Sequence, residues 1–174
     1  MTRPLIGLGL VLLSLAGTWT WLPAADDPLP SPLELKPLLC PELEQLIRVT
    51  PRFYSGGEPK TAAAFAALKA LGITTIVSVD GATPRVDLAQ EYELTYVQLP
   101  MGYDGVPETV RRSLVRVANE VPGPIYVHCH HGKHRGPAAM AILCRAAGIA
   151  DAAQAEWILR TAGTGRQYSG LWRD

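Results

Sequence analysis

The chain has 174 residues, enough for one well-buried core, and its hydrophobic fraction of 48% reads as globular. Lys and Arg together number 16, as do Asp and Glu, so no global charge steers the protein toward nucleic acid or anionic lipid. Any affinity for anions must be local.

In chain order, the first segment has the layout of a secretory leader. Arg3 precedes an apolar run over residues 5–15, and Ala24 and Ala25 stand before the first acids. Residues 1–25 therefore read as a signal peptide or, if retained, a membrane anchor, and the protein as periplasmic, extracellular or membrane-tethered. Residues 26–49 read as a Pro-rich linker with a short helix over 42–48, because residues 23–41 hold six of the 15 prolines. The three cysteines, Cys40, Cys129 and Cys144, are an odd number, so one thiol stays free even if two pair.

From residue 50 to 174 the pattern is that of one domain. A brief strand in "RFYSGGEP" ends at the turn Gly56-Gly57. "TAAAFAALKALG" predicts a helix capped by Thr61 and stopped by Gly72, and "ITTIVSV" a buried β-branched strand. A short helix in "PRVDLAQEYE", a strand in "LTYVQLP" and a loop, "MGYDGV", follow. Pro107 opens a helix whose Val110, Leu114, Val117 and Val121 share one face. "IYVH" is a strand, and "GPAAMAILCRAAG" is an apolar, central helix in which Cys144 is a core residue. Asp151 and Gln154 resemble a capping box before a last helix that offers Trp157 and Ile158 to the core. The segment after it reads as a loop, with Arg166 solvated. Strands alternating with helices predict an α/β fold, a central, largely parallel sheet flanked by helices.

The chemistry is concentrated in "HCHHGKHRG", residues 128–136, which holds all four histidines. A strand that turns tightly into a helix aims loop N–H groups and the helix N-terminus at one spot, which favours an anion there. Cys129 stands where the strand ends, in a field that favours thiolate and hence nucleophile. Six residues on, Arg135 can fold back and offer two donors to a phosphate, and Gly132 permits the turn.

This segment resembles the His-Cys-x5-Arg signature loop of the cysteine-dependent protein tyrosine phosphatase superfamily, above all its small dual-specificity members. The resemblance implies a phosphomonoester hydrolase in which Cys129 attacks phosphorus to form a phosphocysteine. It implies that Arg135 and the N–H groups of His130, His131, Gly132, Lys133 and His134 hold the phosphoryl oxygens, with His128 as support. It implies no cofactor and no metal, and as partner a phosphorylated protein or small phosphomonoester. The family draws its general acid from an upstream Asp: Asp104 is the first choice, ahead of Asp80 and Asp87, because its loop follows a strand toward the same carboxyl edge. Tyr103 beside it could stack on an aryl substrate. Gly136 departs from the family, where most members have Ser or Thr whose hydroxyl helps the thiolate leave. Gly-Lys-x-Arg, with Lys133, is similar to the phosphoinositide phosphatases, so an inositol phosphate or lipid headgroup is an alternative substrate.

Three rivals stand beside this reading. Four histidines and a cysteine are ligand types for zinc, copper or nickel, although ligands crowded on one tight loop rarely converge. A rhodanese-type sulfurtransferase also sets Cys between strand and helix, but lacks the preceding His. A catalytically weak phosphate-binding pseudophosphatase, or interaction module, would explain the missing hydroxyl at 136.

Overall fold

Short β-branched and aromatic runs build the sheet. In the computed structural model, which describes residues 33–173, strands β3 (Phe53–Gly56), β4 (Thr75–Ser78) and β6 (Ile125–His128) are buried at every position. Strands covered by helices on both faces must be. β6 lies parallel between β3 and β4, and β5 (Thr95–Gln98) continues the parallel set beside β4. On the other edge β1 (Lys36–Pro37) and β2 (Ile47–Arg48) pair antiparallel, giving the order β1-β2-β3-β6-β4-β5.

That edge corrects two expectations. The helix over 42–48 does not form, because the chain turns there and Ile47 enters β2 opposite Ser55. Nor are residues 33–49 a spacer, since Leu43, Leu46, Ile47 and Val49 are buried. Pro37 is tolerated because its strand lies at the sheet edge. The leader assigned to residues 1–25 and the start of the linker lie outside the described residues, and no helix among the described residues is long and apolar enough to cross a membrane.

The helices follow the cap chemistry. Thr61 accepts from the Ala64 N–H ahead of α1 (Ala62–Ala70), and Gly72, at φ +78°, turns the chain after it. α2 (Val86–Glu91) is short. α3 (Glu108–Glu120) buries Val110, Leu114 and Val117, and α4 (Arg135–Ala146) is buried without a break from Gly136 to Cys144. Burial pushes the Cys144 thiol up to about 12, so this cysteine is an inert core residue. α5 (Ala152–Thr161) opens with a complete capping box between Asp151 and Gln154. Trp157 is 53% exposed, contrary to expectation: Ala155, Ile158 and Leu159 make the inner face, and residue 157 falls outside it. A 3-10 turn, Ser169–Trp172, follows, with Leu171 buried against the core.

Two-residue alternation along the strands divides the interior. Val77, Ile125 and Val127 pack on the side of α3 and α4, whereas Ile76 and Tyr126 pack with α1 and α2. At the end of β6, His128 lies on the Tyr126 side, and Cys129 just beyond it on the α4 side. That parity places the thiol against the helix and the imidazole behind it.

Candidate active site

The loop between β6 and α4 is clamped to its neighbours by glycines. Gly132 has φ +70°, and a Cβ there would strike the Gly56 carbonyl carbon and lie 2.7 Å from both Gly56 O and Gly57 N. Glycine is thus required twice, by backbone conformation and by close approach. Gly56 in turn leaves room for the Tyr126 hydroxyl, which donates to the Gly57 carbonyl at 2.6 Å.

Cys129 is 3% exposed, and Cys40, Cys129 and Cys144 are all free thiols. A Cβ on Gly136 would sit 3.6 Å from the Cys129 sulfur, so the first turn of α4 abuts the thiol. No main-chain N–H from His130 to His134 donates to another group among the described residues. Amides without internal partners beside the α4 N-terminus are an arrangement that can take an oxyanion.

Arg135 is positioned by the loop after β5. Its Nη1 donates to Met101 O at 3.3 Å, and its Cζ lies 4.6 Å from the centre of the Tyr103 ring. Its buried Nε has no hydrogen-bond partner among the described residues. Tyr103 also packs on Tyr168, ring centres 4.6 Å apart, and Tyr168 on His134 at 4.7 Å. An aromatic wall thus stands beside the guanidinium, and Tyr168 in it was not anticipated. Nothing local in the sequence marks it, because the C-terminal segment returns to the site only in the folded chain.

The candidate acids separate by environment. Asp104 is exposed, and it lines a hollow of about 350 Å³ with Gly105, Val106, Pro107, Gly170 and Arg173. It lies one residue beyond the Tyr103 that covers Arg135, and no hydrogen bond joins its carboxylate to the loop 129–135. Asp80 is 2% exposed and accepts from the Ala82 N–H at 3.0 Å and the Ser78 hydroxyl at 3.3 Å. Asp87 is exposed and paired with Arg85 at 2.7 Å, which holds its carboxyl down to about 2. It is ionised at any working pH, so it has no proton to give.

His128 is the buried support. Its Nε2 lies 2.8 Å from the Tyr96 hydroxyl, and burial pulls it down to about 4 against the opposing pull of Asp80, so the ring is neutral. The other histidines diverge. His130 Nδ1 meets Glu58 at 3.2 Å, His131 Nδ1 meets Glu44 at 3.0 Å, and His134 Nδ1 accepts from the Gly165 N–H at 3.2 Å. Burial and the adjacent Lys133 lower His134, the direction that favours an accepting ring nitrogen. Among the described residues no group of three or more His, Cys, Asp or Glu is arranged to hold a metal ion. The loop's cationic reputation is also reduced, since two of its histidines face carboxylates. Lys133 remains exposed at the rim.

No protein-family model matches the chain, and no curated protein does. Solved structures do. TpbA of P. aeruginosa is 27% identical, with TM-score 0.66 over 82% of this chain and 91% of its own, and a Cys-to-Ser variant of TpbA has been solved in complex with phosphotyrosine. The chain belongs to the cysteine-dependent protein tyrosine phosphatase superfamily. The fold is shared by two further phosphatases. One is the core catalytic domain of the PP-IP phosphatase Siw14 from S. cerevisiae, 19% identical with TM-score 0.50 over 71% of this chain and 86% of its own. The other is the kinase associated phosphatase, 18% identical with TM-score 0.53 over 68% and 83%. The residues of this chain that match the His-Cys-x5-Arg pattern are His128, Cys129 and Arg135, with Gly132 between them.

Proposed function

We propose that the chain hydrolyses phosphomonoesters of the tyrosine or dual-specificity kind, with Cys129 as nucleophile, Arg135 and the amides of 130–135 as the oxyanion clamp, and Asp104 as general acid. The observation that carries this reading is the thiol set against the α4 N-terminus, at the start of a loop whose amides lack internal partners and which ends at Arg135. The Cys129 thiolate attacks phosphorus and the P–O bond to the leaving group breaks. The departing oxygen takes its proton from Asp104. Water then attacks the phosphocysteine, Asp104 takes a proton from it, and the S–P bond breaks to release phosphate and restore the thiolate. Charge on the equatorial oxygens is met throughout by fixed dipoles and the guanidinium.

An aryl phosphate is the favoured substrate. Tyr103, His134 and Tyr168 offer an aromatic wall beside Arg135, and the TpbA variant binds phosphotyrosine. The inositol phosphate alternative is supported by Lys133 and by the shared fold of Siw14, and weakened by the carboxylates facing His130 and His131. The leader-like residues 1–25 support an exported or membrane-tethered enzyme, which the N-terminal mass of the protein recovered from fractionated cells tests.

The experiment is hydrolysis of aryl phosphates of graded leaving-group acidity by the full chain, with reductant and chelator. Cys129→Ser abolishes turnover. Asp104→Asn costs roughly 100-fold with a poor leaving group and much less with a good one, because less proton transfer is then needed. An equal loss across the series moves the acid to another residue, and full activity in Cys129→Ser ends the assignment.

A further inference from the structure

An oxyanion cradle made of main-chain N–H groups has a geometric corollary. Across a trans peptide the C=O of one residue and the N–H of the next point in opposite directions, so turning an N–H inward requires turning the preceding carbonyl outward. A tight, glycine-hinged loop does not do this unaided, since its peptides can rotate. Outward carbonyls therefore need donors waiting outside the loop.

Two carbonyls of the loop have such donors. On the β3 side, the Glu58 N–H donates to His130 O at 3.2 Å, which sets the His131 N–H on the opposite side of that peptide. On the other side the donor is a side chain: the Thr164 hydroxyl donates to Lys133 O at 2.8 Å, which sets the His134 N–H likewise. The adjoining Gly165 N–H holds His134 Nδ1 at 3.2 Å, so the same short segment grips the residue on both sides of that N–H.

Thr164 is itself anchored. It is 6% exposed, its own N–H donates to Leu159 O at 2.9 Å, and Gly163 before it adopts φ +77° to bring the chain off α5. Downstream, the Trp172 indole donates to Gly165 O at 3.2 Å, with Arg166 stacked 3.6 Å over the same ring. Arg166 is thus a brace for the turn. Gly170 lets the segment pass against the Asp104 carbonyl, where any Cβ would collide. The stretch 163–172 is a strap that touches both the signature loop and the loop bearing Asp104.

We infer that Thr164 is a positioning residue of the active site, whose hydroxyl orients the Lys133–His134 peptide so that the His134 N–H faces the bound phosphoryl group. The inference rests on the phosphatase reading of the same loop. Removing the hydroxyl frees the Lys133 carbonyl to rotate toward the cradle, where it would present an oxygen to an oxyanion in place of a donor.

The test compares Thr164→Ser with Thr164→Ala in the full chain, two variants that differ by the hydroxyl alone, and adds Thr164→Val, which keeps the volume. Inorganic phosphate affinity is measured directly by calorimetry beside KM and kcat for an aryl phosphate and the thermal midpoint. Thr164→Ser binds phosphate within about twofold of wild type, while Thr164→Ala and Thr164→Val bind roughly tenfold more weakly, the scale expected for losing one amide donor to a charged ligand. A merely structural role predicts that affinity follows the thermal midpoint, with Val better than Ser. That ordering, or equal affinity in Ser and Ala, overturns the inference. If wild type binds phosphate but does not turn over the ester, the phosphatase reading fails while the affinity series still decides the role of Thr164. If it binds none, both fall.

Discussion

Replacing Gly132 by Ala isolates the close approach that shapes the site. At φ +70° an alanine pays about 1–2 kcal/mol for the left-handed region. Its Cβ would also strike the Gly56 carbonyl carbon and stand 2.7 Å from Gly56 O and Gly57 N, where ordinary contacts need about 3.5 Å. Gly56 cannot yield, because it is paired opposite His128 in the β3–β6 ladder, and the Gly57 N–H is held by Glu44 O at 2.7 Å. The signature loop must therefore move by about 1 Å, adding roughly 1–3 kcal/mol of overpacking, for a total of about 2–5 kcal/mol. Gly148 supplies the control: its φ is +67°, and a Cβ there meets nothing within 4 Å. Gly148→Ala carries only the conformational cost, offset by about 0.4–1 kcal/mol from the stiffer unfolded chain. Urea unfolding of both variants measures the difference, and aryl phosphate turnover reports the loop. A 1 Å displacement of the cradle costs about 100-fold in kcat/KM. Equal destabilisation of the two variants would refute the contact argument, and wild-type turnover in a destabilised Gly132→Ala would separate the loop position from catalysis.

Gly136→Ser restores the hydroxyl that the superfamily signature usually carries. Its Cβ would stand 3.3 Å from Cys129 N, a tight contact that the loop must relieve by a few tenths of an ångström, and 3.6 Å from the sulfur; breakdown of the phosphocysteine should speed up in rapid-quench kinetics relative to Gly136→Ala, which carries the same contact without the hydroxyl. Stability will depend on pH through His128. Its folded value of about 4 lies below the unfolded 6.5, so between those values the unfolded chain binds more protons, and stability is lost as pH falls through that window. The loss is on the order of 3 kcal/mol. His134 is shifted in the same direction and adds to it. Urea midpoints from pH 7 to 4.5 should flatten in His128→Gln, and identical profiles would contradict the buried neutral ring.

The strand–loop–helix around residues 128–136 was legible because it is contiguous: Cys129, the hinge Gly132 and Arg135 fall between the end of β6 and the first turn of α4. Thr61, Gly72 and the Asp151–Gln154 box were legible for the same reason, since a cap acts within one helical turn. What the tertiary structure decided comes from elsewhere in the chain. β1 and β2 are two-residue strands whose partner, not their composition, makes them strands. Trp157 faces solvent because the packing of α5 on α4 chose a different stripe. Glu58 and Glu44, 72 and 87 residues from their histidines, set carboxylates against two of the loop's imidazoles. Thr164 and Tyr168 reach the site only because the chain doubles back after α5. Local sequence determined which residues the β6–α4 loop carries, and long-range packing determined how they are held, because contacts across the fold leave no periodicity for a sequence to display.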